Sequence, residues 1–374
     1  MTLSRRSFLG TVGTATAATV LPFPLAERLA FAGEPPRTRV AGGPVLLNSN
    51  ENAYGPSAKV MAEAQRALSL AMRYPDRQYE ALRERIAALH QVKPEQVFLG
   101  NGSTEILKMA ANAFVDKEHR LVTPLLTFEA ISFYASNQPG VTVTYVGLTS
   151  DYRHDLQAML GAARQNAGLV YVCNPNNPTG TLTPRAEIEE FIRALPRSTY
   201  VLIDEAYHHF AVGAPGYESF LDKPLDDPRV IVARTFSKVY GMAGLRLGYG
   251  IVPEGAVRAF RQQRLQDNVN MVSALCGAVA LDDQAAVQVA VKRNAAERAE
   301  FQRQAARRKI AVMPSYANFF MVDAGRPIPQ VIEHFKRNNI LVGRDFHYGT
   351  WLRVSLGLPS EMVAFWQAWD KIGG

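Results

Sequence analysis

Residues 234–246 read Arg-Thr-Phe-Ser-Lys-Val-Tyr-Gly-Met-Ala-Gly-Leu-Arg, directly after the apolar run Val-Ile-Val-Ala at 230–233. That run has the make-up of a short buried strand, so Lys238 stands just past its carboxyl end. A lysine there, with Thr235 and Ser237 beside it and Arg246 downstream, suits an imine with an aldehyde cofactor. The two hydroxyls and the guanidinium would hold that cofactor's phosphate. Arginine fills the two-point role better than lysine does.

Outward from this stretch, similar short runs occupy residues 97–99, 121–123, 142–146, 169–173, 200–203 and 247–252. Amphipathic stretches such as 105–114, 155–164 and 184–195 lie between many of them. Alternation of this kind predicts an α/β fold whose large domain carries a mostly parallel, seven-stranded sheet covered by helices. From about residue 256 the chain turns Gln-, Arg- and Ala-rich, with further strands near 318–322 and 352–355. A smaller α+β C-terminal domain is expected there. The expected division is 1–32 as a targeting segment, 33–55 as an N-terminal arm, 56–255 as the large domain and 256–374 as the small one.

Ligands of open α/β sheets bind beyond the carboxyl ends of the strands, and the notable motifs fall in those loops. Gly100–Asn101–Gly102–Ser103–Thr104 follows the first run and opens a helix, whose free N–H groups can hold a phosphate. Alone, such a turn is more often a plain strand-to-helix connection. Asn174 to Gly180 reads NPNNPTG, a rigid loop able to aim Asn177 into the cleft. Asp204 ends the run at 200–203 and precedes Glu205, Ala206 and Tyr207. A carboxylate facing a ligand there is costly unless paired, and a cationic ring nitrogen would pair it. The plainer role, a helix cap or a surface ion pair, stands beside that one.

Taken together, these motifs resemble those of class I/II, fold-type I aminotransferases dependent on pyridoxal 5′-phosphate (PLP), with the histidinol-phosphate aminotransferase branch nearest. The resemblance runs over about residues 44–370. It implies that Lys238 carries the cofactor as a Schiff base, that Asp204 pairs the pyridine nitrogen, and that Tyr207 and Asn177 touch the phenolic oxygen. Ser103, Thr104, Thr235, Ser237 and Arg246 would form the phosphate cup, with Phe128 stacked on the ring. Tyr74, in RYPD, resembles the tyrosine that reaches the phosphate from the other subunit, which implies a homodimer. Arg353, in WLRVSLG, resembles the arginine for the substrate α-carboxylate. Arg344 would serve a distal group, and Asn52 lies in an arm covering the site. Ala53, Thr104 and Phe128 depart from the family's usual Pro, Asp and Tyr.

The implied activity moves an amino group between an amino acid, with histidinol phosphate or an aromatic amino acid as candidate donors, and a 2-oxoacid such as 2-oxoglutarate. A PLP lyase, decarboxylase or racemase on the same scaffold is the rival within the fold. A catalytically silent exported binding protein is the rival outside it.

The chain has 374 residues, 47% of them hydrophobic, enough for a sizeable core. Its formal charge of +7 comes from basic residues interleaved with acids, as at Arg298, Glu300 and Arg303. That is a solvated face rather than a nucleic-acid site, and no metal ligands are expected. Cys173 and Cys276 each sit in an apolar run and read as buried thiols. At the N-terminus, SRRSFL at 4–9, a weakly apolar stretch and Ala30–Phe31–Ala32 have the form of a cleavable twin-arginine signal. The apolar stretch is too short to span a membrane, so export to the periplasm is the expectation.

Overall fold

A computed structural model describes residues 43–372. The segment expected to be a targeting signal, and the arm as far as residue 42, lie outside the described residues.

The strands are β1 (Val45–Leu47), β2 (Val97–Asn101), β3 (Arg120–Pro124), β4 (Val143–Val146), β5 (Ala167–Cys173), β6 (Tyr200–Asp204), β7 (Val230–Thr235), β8 (Leu247–Ile251), β9 (Phe319–Asp323), β10 (Ile340–Val342) and β11 (Trp351–Ser355). The helices are α1 (Ala58–Ala67), α2 (Asp76–His90), α3 (Ser103–Phe114), α4 (Ala130–Ser136), α5 (Leu156–Ala163), α6 (Arg185–Ala194), α7 (His208–Ala211), α8 (Val257–Gln263), α9 (Met271–Asp282), α10 (Gln284–Arg307), α11 (Ile328–Arg337) and α12 (Pro359–Trp369). Among the described residues no single helix is long and apolar enough to cross a membrane.

Seven strands form one sheet in the order β2-β8-β7-β6-β5-β3-β4. Only β8 runs against its neighbours β2 and β7; the other pairings are parallel. Six carboxyl ends therefore share one edge of the sheet. The register brings Cys173 opposite Asp204 and Asp204 opposite Ala233 at that edge. Every residue of β5 is buried, because helices cover both faces and leave no polar side to alternate with. Side-chain caps start several of those helices: Ser57 accepts from the Val60 N–H, Asp155 from Ala158 and Asn270 from Ser273.

The two faces of the sheet carry separate apolar clusters. One holds Leu82, Val170, Ile203 and Phe236; the other holds Phe98, Leu107, Tyr171 and Phe260. Residue 256, where composition changes, precedes two helices that still pack on this sheet: Phe260 of α8 joins the second cluster and Cys276 of α9 the first. A third cluster belongs to the C-terminal elements, with Phe301, Phe320, Phe335, Phe365 and Trp366 around β9, β11 and α12. Val45 and Leu47 belong to it too. Their strand β1 pairs in parallel with β10, which locks the arm onto the C-terminal region. Cys173 and Cys276 are buried free thiols.

Candidate active site

At the sheet edge a cavity of about 230 Å³ is lined by Ser103, Thr104, Phe128, Asn177, Asp204, Tyr207, Thr235, Ser237, Lys238, Arg246 and Arg353. Thus eleven of the fourteen residues singled out from the sequence meet in one place.

Lys238 follows β7, and its Nζ donates to the Ser49 and Asn50 carbonyls at 3.3 and 3.1 Å. Burial, then the nearby Arg353 charge, brings its ammonium down to about 8, so a neutral amine is within reach near physiological pH. Asp204 closes β6 and is wholly buried. Tyr171 Oη donates to its Oδ2 at 2.8 Å and the Ala206 N–H to its Oδ1 at 3.1 Å. Burial pushes its carboxyl up to about 6 despite these donors. A buried carboxylate so placed calls for a cation.

The phosphate-type donors gather on the other side. Thr235 Oγ1 donates to Ser237 Oγ at 3.0 Å, and Arg246 adopts a left-handed conformation, φ 56°. Gly102 has φ 73° at the start of α3, and a Cβ there would strike the Arg246 guanidinium. Gly248 in β8 is required for a similar reason, since a Cβ would collide with the Ser103 N–H. The two glycines let a helix N-terminus, two hydroxyls and a guanidinium converge, the donor set of an anion cradle.

The 174–180 loop is held by its own asparagines. Asn174 pairs with the Thr183 backbone in both directions, and Asn176 donates to the Leu126 carbonyl at 3.0 Å. Asn177 is thereby presented to the cavity, where its Oδ1 accepts from Arg353 Nη1 at 2.7 Å. Arg353, on β11, also donates from Nη2 to the Asn48 carbonyl at 2.6 Å. Its buried Nε has no hydrogen-bond partner among the described residues. Tyr207 is buried edge-on against Phe319.

Three expected residues stand elsewhere. Asn52 donates to the Val239 carbonyl at 3.0 Å and lines a different, smaller cleft. Arg344 is exposed and ion-paired with Glu129 in an adjoining cavity. Tyr74 is 76% exposed, away from the cavity of its own chain. Conversely, two residues not singled out are integral. Asn50, left-handed at φ 53°, donates from Nδ2 to Tyr207 Oη at 3.1 Å, and Tyr171 supports Asp204.

A family model for class I and II aminotransferases matches residues 43–365. The chain belongs to this family. It is 35% identical over 321 residues to histidinol-phosphate aminotransferase 2 of Carboxydothermus hydrogenoformans, covering 85% of this chain and 88% of that one. Against the histidinol-phosphate aminotransferase of Shouchella clausii it is 34% identical, covering 86% and 87%. In three dimensions it resembles the Sinorhizobium meliloti histidinol-phosphate aminotransferase solved with pyridoxal 5′-phosphate: TM-score 0.81, 27% identity, 88% of this chain and 92% of that one. As an aminotransferase of this class the chain is a PLP-dependent transaminase. The cavity fits that cofactor on its own terms, with an amine, a buried carboxylate that has no ion-pair partner within 4 Å among the described residues, and an anion cradle around one space.

Proposed function

We propose that the chain transfers an amino group from an amino acid to a 2-oxoacid with Lys238 as the cofactor-bearing and proton-moving residue. The observation that carries this reading is the meeting of Lys238, Asp204 and Arg353 around one cavity. PLP would be held at Lys238, with its phosphate among Ser103, Thr104, Thr235, Ser237 and Arg246 and its ring beside Phe128. Bound there, it supplies an electron sink for charge developing at the substrate's α-carbon. The Asp204 carboxylate would keep the ring nitrogen protonated, and Tyr207 and Asn177 would be available to its phenolic oxygen. Arg353 takes the substrate α-carboxylate, which fixes which bond of the α-carbon is labile. Lys238 Nζ, lining the same cavity as Arg353, would serve as the base that takes the substrate's α-proton and as the acid that gives it back.

The test is a half-reaction: PLP-loaded protein mixed with single amino acids, followed by its visible spectrum and by the oxoacid released. Borohydride should trap the cofactor on Lys238. Protein that stays colourless with added PLP would refute the reading. Arg353→Ala should lower kcat/KM by roughly ten- to a hundredfold, with little rescue by Arg353→Lys, whose ammonium lacks the planar fork.

Two further features belong to the same proposal. Exposed Leu68, Met72 and Tyr74 form apolar surface, of the kind that a second copy covers, so the active unit is a homodimer with Tyr74 reaching the partner's phosphate site. Residues 1–32 direct export by the twin-arginine route. Replacing Arg5 and Arg6 with Lys should trap the precursor in the cytoplasm; unchanged secretion would refute that route.

A further inference from the structure

Beside the inner cavity lies a larger one of about 660 Å³, and Phe128 lines both. Its walls mix apolar and polar residues, with Leu126, Tyr134 and Phe346 among the former, and its charged members include Glu129, Arg344 and Asp345. Phe346 contacts two guanidiniums, its ring centre 4.8 Å from Arg344 and 5.1 Å from Arg353. Arg353 in the inner cavity and Arg344 in the outer one thus stand against the same aromatic ring. Arg344, however, is paired with the Glu129 carboxylate, and both side chains are 57% exposed. Asp345, next in the chain, adds a second carboxylate to the same wall, 3.5 Å from His347 Nδ1. The outer cavity thus offers aromatic surface at Phe128 and Phe346 beside a neutralised cation, whereas a site built for a distal anion would present that cation unpaired.

We infer that Glu129 sets the charge selectivity of substrate binding by occupying Arg344: a side chain ending in an anion must displace the Glu129 carboxylate, whereas an uncharged aromatic or apolar one lies against Phe128 and Phe346 with the pair intact. The inference rests on the transaminase reading, with the α-carboxylate on Arg353. An exposed ion pair is weak and opens readily, so Glu129 handicaps anionic substrates without excluding them. Backbone placement does not depend on the Glu129 side chain. Its carbonyl starts α4 by accepting from Ser132 Oγ at 2.8 Å and the Phe133 N–H at 2.9 Å, and a substitution keeps both.

The experiment uses PLP-loaded protein and two non-reacting ligands, glutarate with an anionic distal end and 3-phenylpropionate with an uncharged one. Dissociation constants are measured by titration calorimetry for wild type, Glu129→Gln, Glu129→Ala, Arg344→Gln and the Glu129→Gln/Arg344→Gln double variant. Either Glu129 change should tighten glutarate relative to 3-phenylpropionate by about five- to tenfold, the scale of a weak ion pair plus a removed like charge. The gain should disappear when Arg344 is also removed. In turnover, the glutamate-to-phenylalanine ratio of kcat/KM should move the same way, through KM rather than kcat. Equal change for both ligands, or a glutarate gain that persists without Arg344, would overturn the inference. The binding arm needs no turnover, so it reads Glu129 by itself, while a failure to convert any amino acid would count against the transaminase reading instead.

Discussion

Asp204 shows what a site tuned for a cationic ring costs the protein without one. Its carboxyl sits near 6, chiefly through burial, against about 3.9 in an unfolded chain. Well below about pH 4 the group is protonated in both states and weighs on neither. As pH rises towards 6 the unfolded chain gives up its proton first, so folded stability falls, and the full penalty persists above. Cofactor-free Asp204→Asn should therefore be more stable than cofactor-free wild type at pH 8, by about 2–3 kcal/mol. The gap should close as pH falls towards 4. Tyr171 can still donate to the asparagine oxygen, while the Ala206 N–H loses its acceptor, which trims the gain equally at both pH values and leaves its pH dependence intact. Urea unfolding of both proteins at pH 8 and pH 4.5 measures it. Equal stability at pH 8 would mean the carboxylate is already satisfied by Tyr171 and the Ala206 N–H.

At the scale of elements, the site depends on how β6 and β7 are clasped just beyond Asp204. Arg234 in β7 donates from Nε and Nη2 to Glu205 Oε2 at 3.0 and 2.9 Å, and Ser219 Oγ donates to the same oxygen at 2.7 Å. Both charged side chains are at most 7% exposed. Removing one member of a buried pair strands the other, so Arg234→Met should cost about 3–5 kcal/mol. Adding Glu205→Gln should recover part of that loss, because the stranded charge goes with it. Equilibrium unfolding of the single and double variants decides; a single-variant loss below about 1 kcal/mol would show that water reaches the pair.

The strands of this sheet were legible in the sequence because burial on both faces turns them into continuous apolar runs, as at residues 167–173. Asp204 and Lys238 were legible for a related reason, each being the polar residue that ends or follows such a run. β1 and β10, three residues each, carry no such signal, since each is defined by a partner almost three hundred positions away. Asn50 was hidden likewise: its place depends on a left-handed backbone and on Ser355, from which it is separated by 305 positions. Tyr171 was masked by the run that contains it. Asn52 shares the NENAYG motif, but its side chain turns to the Val239 carbonyl, a choice that only the packed arm makes.

For the whole molecule, the decisive prediction concerns the twofold assembly. Mixing a Tyr74→Phe chain with a Lys238→Ala chain should restore activity, because one of the two sites in a mixed dimer would then hold an intact Lys238 and the other chain's intact Tyr74. No recovery after proven subunit exchange would remove Tyr74 from the partner's site. The pairing of β1 with β10, and of Asn50 with Ser355 across 305 positions, has a consequence for synthesis on the ribosome. Lys238 leans on the Ser49 and Asn50 carbonyls and Arg353 on the Asn48 carbonyl, so early and late segments must both be in place before the cavity closes. Contacts this remote in sequence form slowly, and here they cannot form until translation has passed residue 355. The nascent chain can build its sheet and the residues around Lys238 as it emerges, but the Arg353 side of the cavity waits for an almost finished polypeptide.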